Sequence, residues 1–539
     1  MPMTQPAAAP LWNDRIVVEP LSGVPFRRYA QRPHRCEQVL ALATRWGERA
    51  HLIQGERVVS FAGLRRAAAA KAHTLHELGL RRGDHVLLMG WNSPDWVMNF
   101  WACVEAGAVP VLANAWWSDS EINHALDLLR PALVLADART RDKIPPHWPA
   151  APWAADENAA AESESPLDVD VNASLPGEED TAVLVFTSGT EGLPKAVALP
   201  HRALLSGLQM MLHITRQLPL PFDAKRSEVA LHTGPLFHVG GPQVMLRSLA
   251  VGNTLVFPSG RFDPQEALQL IERHHVTRWT AVPTMINRVL DHPDLQRRDL
   301  RSLRAIGTGG TPVGAALLQR LRSALPEAQL SVAIGYGLTE NTGPATTASG
   351  ADTLQHPGTC GRPLPCVELR IAERPGHDDG EVLVRSPSQM SGYYGVAESP
   401  IDAEGWLHTG DLGHLDAGGR LWITGRSKDL IIRGGENIAP AAVEMALATL
   451  PQVADAAVVG VPHAELGEEV FAFVVLRTAA TAEQLQAALR PLLASFALPS
   501  RWHLQQEPLP ANQTGKTDKR ELKTRARSLV QATQPTAGR

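Results

Sequence analysis

The run Thr187-Ser188-Gly189-Thr190-Glu191-Gly192-Leu193-Pro194-Lys195 concentrates hydroxyls and glycines directly after the apolar stretch Ala182-Val-Leu-Val-Phe. Such a turn can wrap backbone N–H groups and side-chain hydroxyls around phosphate oxygens, and Lys195 adds a positive charge at its end. An ordinary Ser/Gly surface loop needs neither this hydroxyl density nor the closing Pro-Lys. The two common nucleotide loops are absent. Gly515-Lys516-Thr517 imitates the end of Gly-x-x-x-x-Gly-Lys-Thr, but position 510 is Pro where the first glycine would stand, and no helix is expected after it. Gly335-Tyr336-Gly337 runs on to Leu338-Thr339-Glu340 and does not complete Gly-x-Gly-x-x-Gly.

With these loops and several others in one order, the chain resembles the adenylate-forming superfamily: acyl-CoA synthetases, firefly-luciferase-like enzymes and the adenylation domains of peptide synthetases. The resemblance runs from about Glu37 to Leu522. Thr187, Ser188, Gly189, Thr190 and Lys195 match the phosphate loop. Pro235-Leu236-Phe237-His238 matches the segment at the acyl pocket, which the resemblance continues through Gly240, Gly241, Met245 and Thr308. Gly309, Gly310 and Thr311 fall in the loop beside the adenine. Gly335, Tyr336 and Gly337 resemble the signature whose Tyr stacks on adenine, with Thr339 and Glu340 following; Glu340 and Thr190 are the implied Mg²⁺ contacts. Asp411 matches the ribose ligand, Arg426 adds a ribose or phosphate contact, and Lys428 matches the hinge. Gly434, Gly435 and Glu436 resemble the turn that opens the coenzyme A channel, and Lys516 matches the catalytic lysine. The implied cofactors are ATP, Mg²⁺ and coenzyme A. The chain departs from the pattern in two places: Glu191 where the family usually has Thr, and Ala196 where it usually has Gly. Glu191 is expected to face solvent or to help hold Mg²⁺.

Each implied role is sound chemistry. A carboxylate attacks the α-phosphate of ATP poorly because both are anionic; Lys516 can neutralise charge between them in the transition state. Lys195, Mg²⁺ and the hydroxyl loop would stabilise the departing pyrophosphate. One carboxylate, Asp411, suits the two hydroxyls of a vicinal diol, and Tyr336 offers a flat apolar face with a polar tip. Gly240-Gly241 after His238 would let the backbone pass close to a ligand. His274-His275, His408, Cys360 and Cys366 are given no catalytic role.

These residues need elements to hold them. Arg65–Leu78 reads as a helix, His85–Gly90 as a buried strand, Asp95–Ala106 as an amphipathic helix and Val109–Ala113 as the next strand. This alternation implies βαβ units and largely parallel sheets. The Pro- and Arg-rich residues 1–36 read as an extended arm, and the acidic stretch 156–180 as a surface connection. Val382–Ile423 is turn-rich β. Beyond it, strands near 430, 456 and 470 with helices 440–450 and 482–493 form a compact α+β unit. The expected architecture is α/β: an arm (1–36), a large ATP- and acyl-binding domain with a β-barrel-like section (37–426), and a small mobile α+β domain (427–539).

Bulk properties agree. A chain of 539 residues exceeds one ordinary core, so at least two domains are expected. A net charge of −5 gives no reason to expect nucleic acid or an anionic membrane as partner. No run approaches a membrane span, the first residues do not form a signal peptide, and four cysteines without a Cys-x-x-Cys pair point to reduced thiols in the cytoplasm. The partners expected are small molecules (a carboxylic acid, ATP and coenzyme A), with a homodimer compatible. The function expected is an ATP-dependent carboxylate–CoA ligase acting on a hydrophobic monocarboxylate. Its rivals are an adenylating enzyme that loads an aryl or amino acid onto a carrier protein, and a luciferase-like oxygenase. An amino-acid selector normally keeps a carboxylate for the ammonium group, and no Asp or Glu lies between Leu231 and Arg247.

Overall fold

The computed structural model describes residues 12–21, 23–159, 177–187, 193–218, 227–309, 313, 315–325, 330–511 and 516–533. The alternating strands and helices of the sequence build two mainly parallel sheets. In the seven-stranded sheet, His85–Met89, Val109–Ala113, Leu133–Ala136 and Thr181–Thr187 run parallel at the centre, and Lys195–Pro200 turns back antiparallel beside Thr181–Thr187. Its central strands are apolar and buried over most of their length, as strands covered on both faces must be. The nine-stranded sheet carries Val229–His232, Arg278–Thr280, Ala305–Gly309 and Ser331–Leu338 in parallel, and Gly343–Ser349 antiparallel at one side.

The helix expected to be amphipathic, observed at Pro94–Glu105, buries its residues from Trp96 to Val104 without a break. It packs against strands of both sheets, so neither face reaches water. Ser93 caps it by accepting from the Trp96 N–H at 3.2 Å, and Pro94 stands where its missing N–H costs nothing. Ser60 caps the helix Phe61–Glu77 in the same way.

The arm folds back on itself: Ile16–Leu21 and Val24–Tyr29 pair as an antiparallel hairpin. Phe26 and Tyr29 are buried, and Arg28 and Arg32 both reach Glu178, just before the strand Thr181–Thr187. The turn-rich β section is a four-stranded antiparallel sheet, Glu368–Ala372, Gly380–Arg385, Leu407–Leu415 and Leu421–Arg426, joined to the nine-stranded sheet by a Gly361–Leu421 bridge. The small unit has its own five-stranded sheet and two apolar clusters.

One sequence expectation is overturned. A helix, Lys519–Thr533, does follow Gly515-Lys516-Thr517. Leu522, Ala526 and Val530, spaced by four, are buried against the long strands Val453–His463 and Gly467–Leu476. The missing glycine at position 510 therefore carries the exclusion of a P-loop alone. The acidic connection lies partly outside the described residues.

Candidate active site

The structure brings Tyr336, Asp411 and Arg426 into one hydrogen-bonded group, with Lys516 and His238 nearby. Strand Leu407–Leu415 pairs with Leu421–Arg426 so that Asp411 lies directly opposite Arg426. The Arg426 Nε donates to Asp411 Oδ1 at 2.7 Å, and the Tyr336 hydroxyl donates to Oδ2 at 2.7 Å from the neighbouring sheet. Asp411 is buried, while Arg426 keeps most of its side chain exposed. Burial and the adjacent carboxylate push the Tyr336 hydroxyl well above the usual tyrosine range, so it stays a donor. Two oxygens aligned by two donors form a cradle that a vicinal diol can enter by exchanging partners.

Lys516 joins this group from the small unit. Its ammonium is destabilised by burial and by Arg426, with Asp411 opposing, so its affinity for a proton is lowered. It also lies close enough to His238 to help depress that ring, which burial pushes down to about 4. His238 is thus neutral at ordinary pH. Its Nε2 is shielded from solvent without a hydrogen-bond partner, and its ring leans on Phe237 at 4.7 Å between centroids. Phe237 in turn meets Trp116 edge-on, and Trp116 meets Trp91.

Thr187 and Lys195, the two ends of the run expected to bind phosphate, are cross-strand partners. Ser188, Gly189, Thr190, Glu191 and Gly192 lie outside the described residues, as do Gly310 and Thr311. Ala196 is buried, with its side chain in an apolar cluster opposite Phe186, so the methyl group serves packing. Lys195 places its ammonium 5.1 Å from the centre of the Tyr393 ring, and the Tyr393 hydroxyl donates to Glu340 Oε1 at 2.8 Å. Glu340 and Thr339 sit in a short turn after strand Ser331–Leu338. The turn ends on Thr342, a non-glycine residue at φ +54, clamped by its own hydroxyl on Ser388 O and by Gln243 Nε2 on its carbonyl.

Among the described residues no cluster of three or more His, Cys, Asp or Glu could hold a metal. A dication at Glu340 would take one carboxylate oxygen and draw its other ligands from phosphate and water. Mg²⁺, which keeps waters and favours phosphate oxygens, fits that donor set.

The glycines have distinct reasons. A Cβ at Gly337 would strike the Gly343 carbonyl oxygen, and one at Gly309 would come 2.8 Å from the Gly335 carbonyl oxygen, so both serve the close pairing of adjacent strands. A Cβ at Gly241 would strike the Leu236 carbonyl, whereas one at Gly240 would meet nothing within 4 Å. Met245 is fully buried in the main core, and Thr308 is buried with its hydroxyl unpartnered. Gly434 and Gly435 have φ +60 and +89, the left-handed pair that a two-residue hairpin demands, and they lie exposed with Glu436. Lys428 is exposed in the short turn after Arg426. The sequence reading missed Tyr393, Gln243 and the Trp91–Trp116 pair, because each reaches the site only through long-range packing.

The model of the AMP-binding enzyme family matches residues 40–394, and that of the AMP-binding enzyme C-terminal domain matches 442–516. The chain belongs to the AMP-binding enzyme family. It resembles a Mycobacterium tuberculosis ligase named for joining CoA to a propanoyl chain on a methyl-dioxo-octahydroindene ring system (36% identity, 88% of this chain, 95% of the relative). It also resembles feruloyl-CoA synthase of an Amycolatopsis species (33% identity, 94% and 99%). Among solved structures, o-succinylbenzoate CoA synthetase of Bacillus subtilis, in complex with its acyl-adenylate intermediate, superposes with a TM-score of 0.75 at 29% identity, over 90% of this chain and 97% of that one. Within its family this member is of the acyl-CoA synthetase type, an AMP-forming acid–CoA ligase. Among the described residues no helix is long and apolar enough to cross a membrane.

Proposed function

We propose that this AMP-binding enzyme activates a hydrophobic monocarboxylic acid, medium- or long-chain or ring-bearing, as its acyl-adenylate and passes the acyl group to coenzyme A. The observation that carries the mechanism is the Asp411–Arg426–Tyr336 hydrogen-bonded group, with Lys516 from the small unit near enough to Asp411, Arg426 and His238 to exchange electrostatic influence with them. Asp411 binds the ribose hydroxyls and Tyr336 lies along the adenine. Lys516 moves in between the acid and the α-phosphate and holds positive charge there as the carboxylate oxygen attacks phosphorus and pyrophosphate leaves. Lys195 and the hydroxyl loop hold the departing phosphates. Mg²⁺, held by Glu340 with Thr190, would supply charge neutralisation on the triphosphate.

In the present arrangement the Gly434–Gly435 turn stands exposed while Lys516 is half-buried in the site. The thiol step therefore calls for a rotation of residues 427–539 against 37–426, absorbed at Lys428, that withdraws Lys516 and brings the glycine turn in. The reduced thiols, none of them paired, suit a cytoplasmic enzyme.

The acid is read from the surroundings of His238. The ring is neutral, it leans on Phe237, Phe237 in turn meets Trp116, and Gly240 leaves space. A second charge on the acid would be buried unpaired at a cost of several kcal/mol, whereas each methylene gained contributes about 0.8 kcal/mol. The ring-bearing acids in the names of the relatives agree with this reading. The test is kcat/KM for thioester formation across acetate, octanoate, palmitate, a cinnamate, a cyclic alkanoic acid and an amino acid. A hydrophobic acid is expected to lead; best activity on acetate or on the amino acid would overturn the assignment.

A further inference from the structure

We infer that Tyr393 is a positioning residue that ties the phosphate-loop lysine to the metal-binding carboxylate, and that it sets the enzyme's Mg²⁺ requirement. This rests on the reading of Glu340 as the Mg²⁺ ligand. Tyr393 lies in a two-residue strand, Gly392–Tyr393, that pairs with Lys195–Pro200 at the edge of the seven-stranded sheet, with Val197 opposite Tyr393. Its backbone surroundings are fixed on both sides. The Ser391 N–H donates to Ala198 O and the Tyr394 N–H to Ala196 O, while the Met390 N–H donates to Glu340 O at 2.8 Å. The segment behind it is held by Arg202, a buried side chain that donates to the carbonyls of Pro387 and Gln389. Ser388 bonds Asn341 and accepts from Thr342, so residues 386–393 and the Glu340 turn move as one piece.

The side chain uses both of its ends. Its hydroxyl donates to Glu340 Oε1 at 2.8 Å, and among the described residues it alone donates a side-chain hydrogen bond to that carboxylate. Its ring face receives the Lys195 ammonium at 5.1 Å. A carboxylate with one oxygen fixed by a neutral donor keeps its full negative charge and points its other oxygen in a set direction, which a dication with strict octahedral demands requires. The same ring holds Lys195 near the loop yet leaves its charge unneutralised, as a carboxylate partner would not. Tyr393 thereby holds a cation against its ring face and an anion at its hydroxyl, the two charges that a magnesium triphosphate would call on.

The experiment is calorimetric titration of the full-length protein with ATP over a series of Mg²⁺ concentrations and in EDTA, for the parent, Tyr393→Phe, Tyr393→His, Tyr393→Leu and Glu340→Gln. Tyr393→Phe keeps the ring and loses the donor. It should weaken MgATP binding about threefold to tenfold, as for one hydrogen bond, shift the Mg²⁺ midpoint upward, and leave metal-free ATP binding unchanged. Tyr393→His, which keeps a ring and an N–H, should recover part of the shift. Tyr393→Leu should also weaken metal-free ATP binding, because Lys195 loses its platform. Melting temperature checks folding, and a merely structural role would lower it without moving the Mg²⁺ midpoint. If Glu340→Gln moves the midpoint and Tyr393→Phe does not, the role of Tyr393 is refuted while the reading of Glu340 stands. If neither moves it, both fall together.

Discussion

Replacing Asp411 by Asn tests the nucleotide cradle with the smallest change in shape. Asp411 presents Oδ1 to Arg426 Nε and Oδ2 to the Tyr336 hydroxyl, each at 2.7 Å. An asparagine can keep its oxygen toward Arg426 only by turning its NH₂ toward Tyr336, whose hydroxyl must then rotate to accept. The protein contacts survive in altered form, but the position offered to a ribose hydroxyl changes from acceptor to donor and the negative charge is gone. A hydrogen bond to a charged group is worth about 1.5–3 kcal/mol. Losing one such bond to the ribose corresponds to roughly a ten- to 150-fold rise in the ATP dissociation constant. The assay is calorimetric titration with ATP, alongside KM for ATP and for the acid. The acid's KM should change much less than the ATP dissociation constant, because the exchanged hydrogen bond is to the ribose. A change in ATP affinity below about threefold, or an equal loss for ATP and acid, would refute the cradle.

Lys428→Pro fixes φ at the turn where the two units join and should preserve one half-reaction while abolishing the other; normal rates for both, measured separately, would exclude Lys428 as the pivot. Lys516 must be protonated to neutralise the α-phosphate, and burial with Arg426 lowers its proton affinity. The kcat/KM of the adenylation step should therefore fall on the alkaline side at a pH below the ordinary lysine range, and kcat at a higher pH, since bound phosphate restores the cation; coincident limbs in the two profiles would contradict this. His51, His201, His232 and His238 are each held near 4 by burial. Between pH 6.5 and about 4 the unfolded chain takes up protons that the native chain refuses. Stability is then lost as pH falls, by about 1.4 kcal/mol per pH unit for each group. Melting scans across that window should show the decline, and His51→Gln should flatten it; a melting temperature that is constant from pH 7 to 4 would be incompatible.

Much of this was legible in the chain because the residues proposed to handle phosphate and ribose lie in contiguous motifs, which carry the family resemblance. Thr187 and Tyr336 each terminate or interrupt an apolar run whose length and β-branched content mark a strand. The parts that were not legible depend on packing between distant segments. Trp96 to Val104 reads as a one-sided helix until a second sheet is placed against its other face. Leu522, Ala526 and Val530 are too sparse in a chain of Lys and Arg to signal a helix without the strands that bury them. Gly241 looks like a ligand contact in sequence, and only the fold reveals the Leu236 carbonyl that excludes a side chain there. Tyr393 belongs to a two-residue strand, which no periodicity can mark.

The central claim is that the acid is first joined to AMP and only afterwards to a thiol. Acid-dependent exchange of labelled pyrophosphate into ATP, measured without coenzyme A in the parent and in Lys516→Ala, addresses it most directly. The account predicts exchange in the parent with no thiol present. It predicts at least a tenfold loss in Lys516→Ala, and near-normal transfer by that variant from supplied acyl-adenylate to coenzyme A. Exchange that requires coenzyme A, release of ADP and phosphate in place of AMP and pyrophosphate, or equal loss of both steps in Lys516→Ala would contradict it.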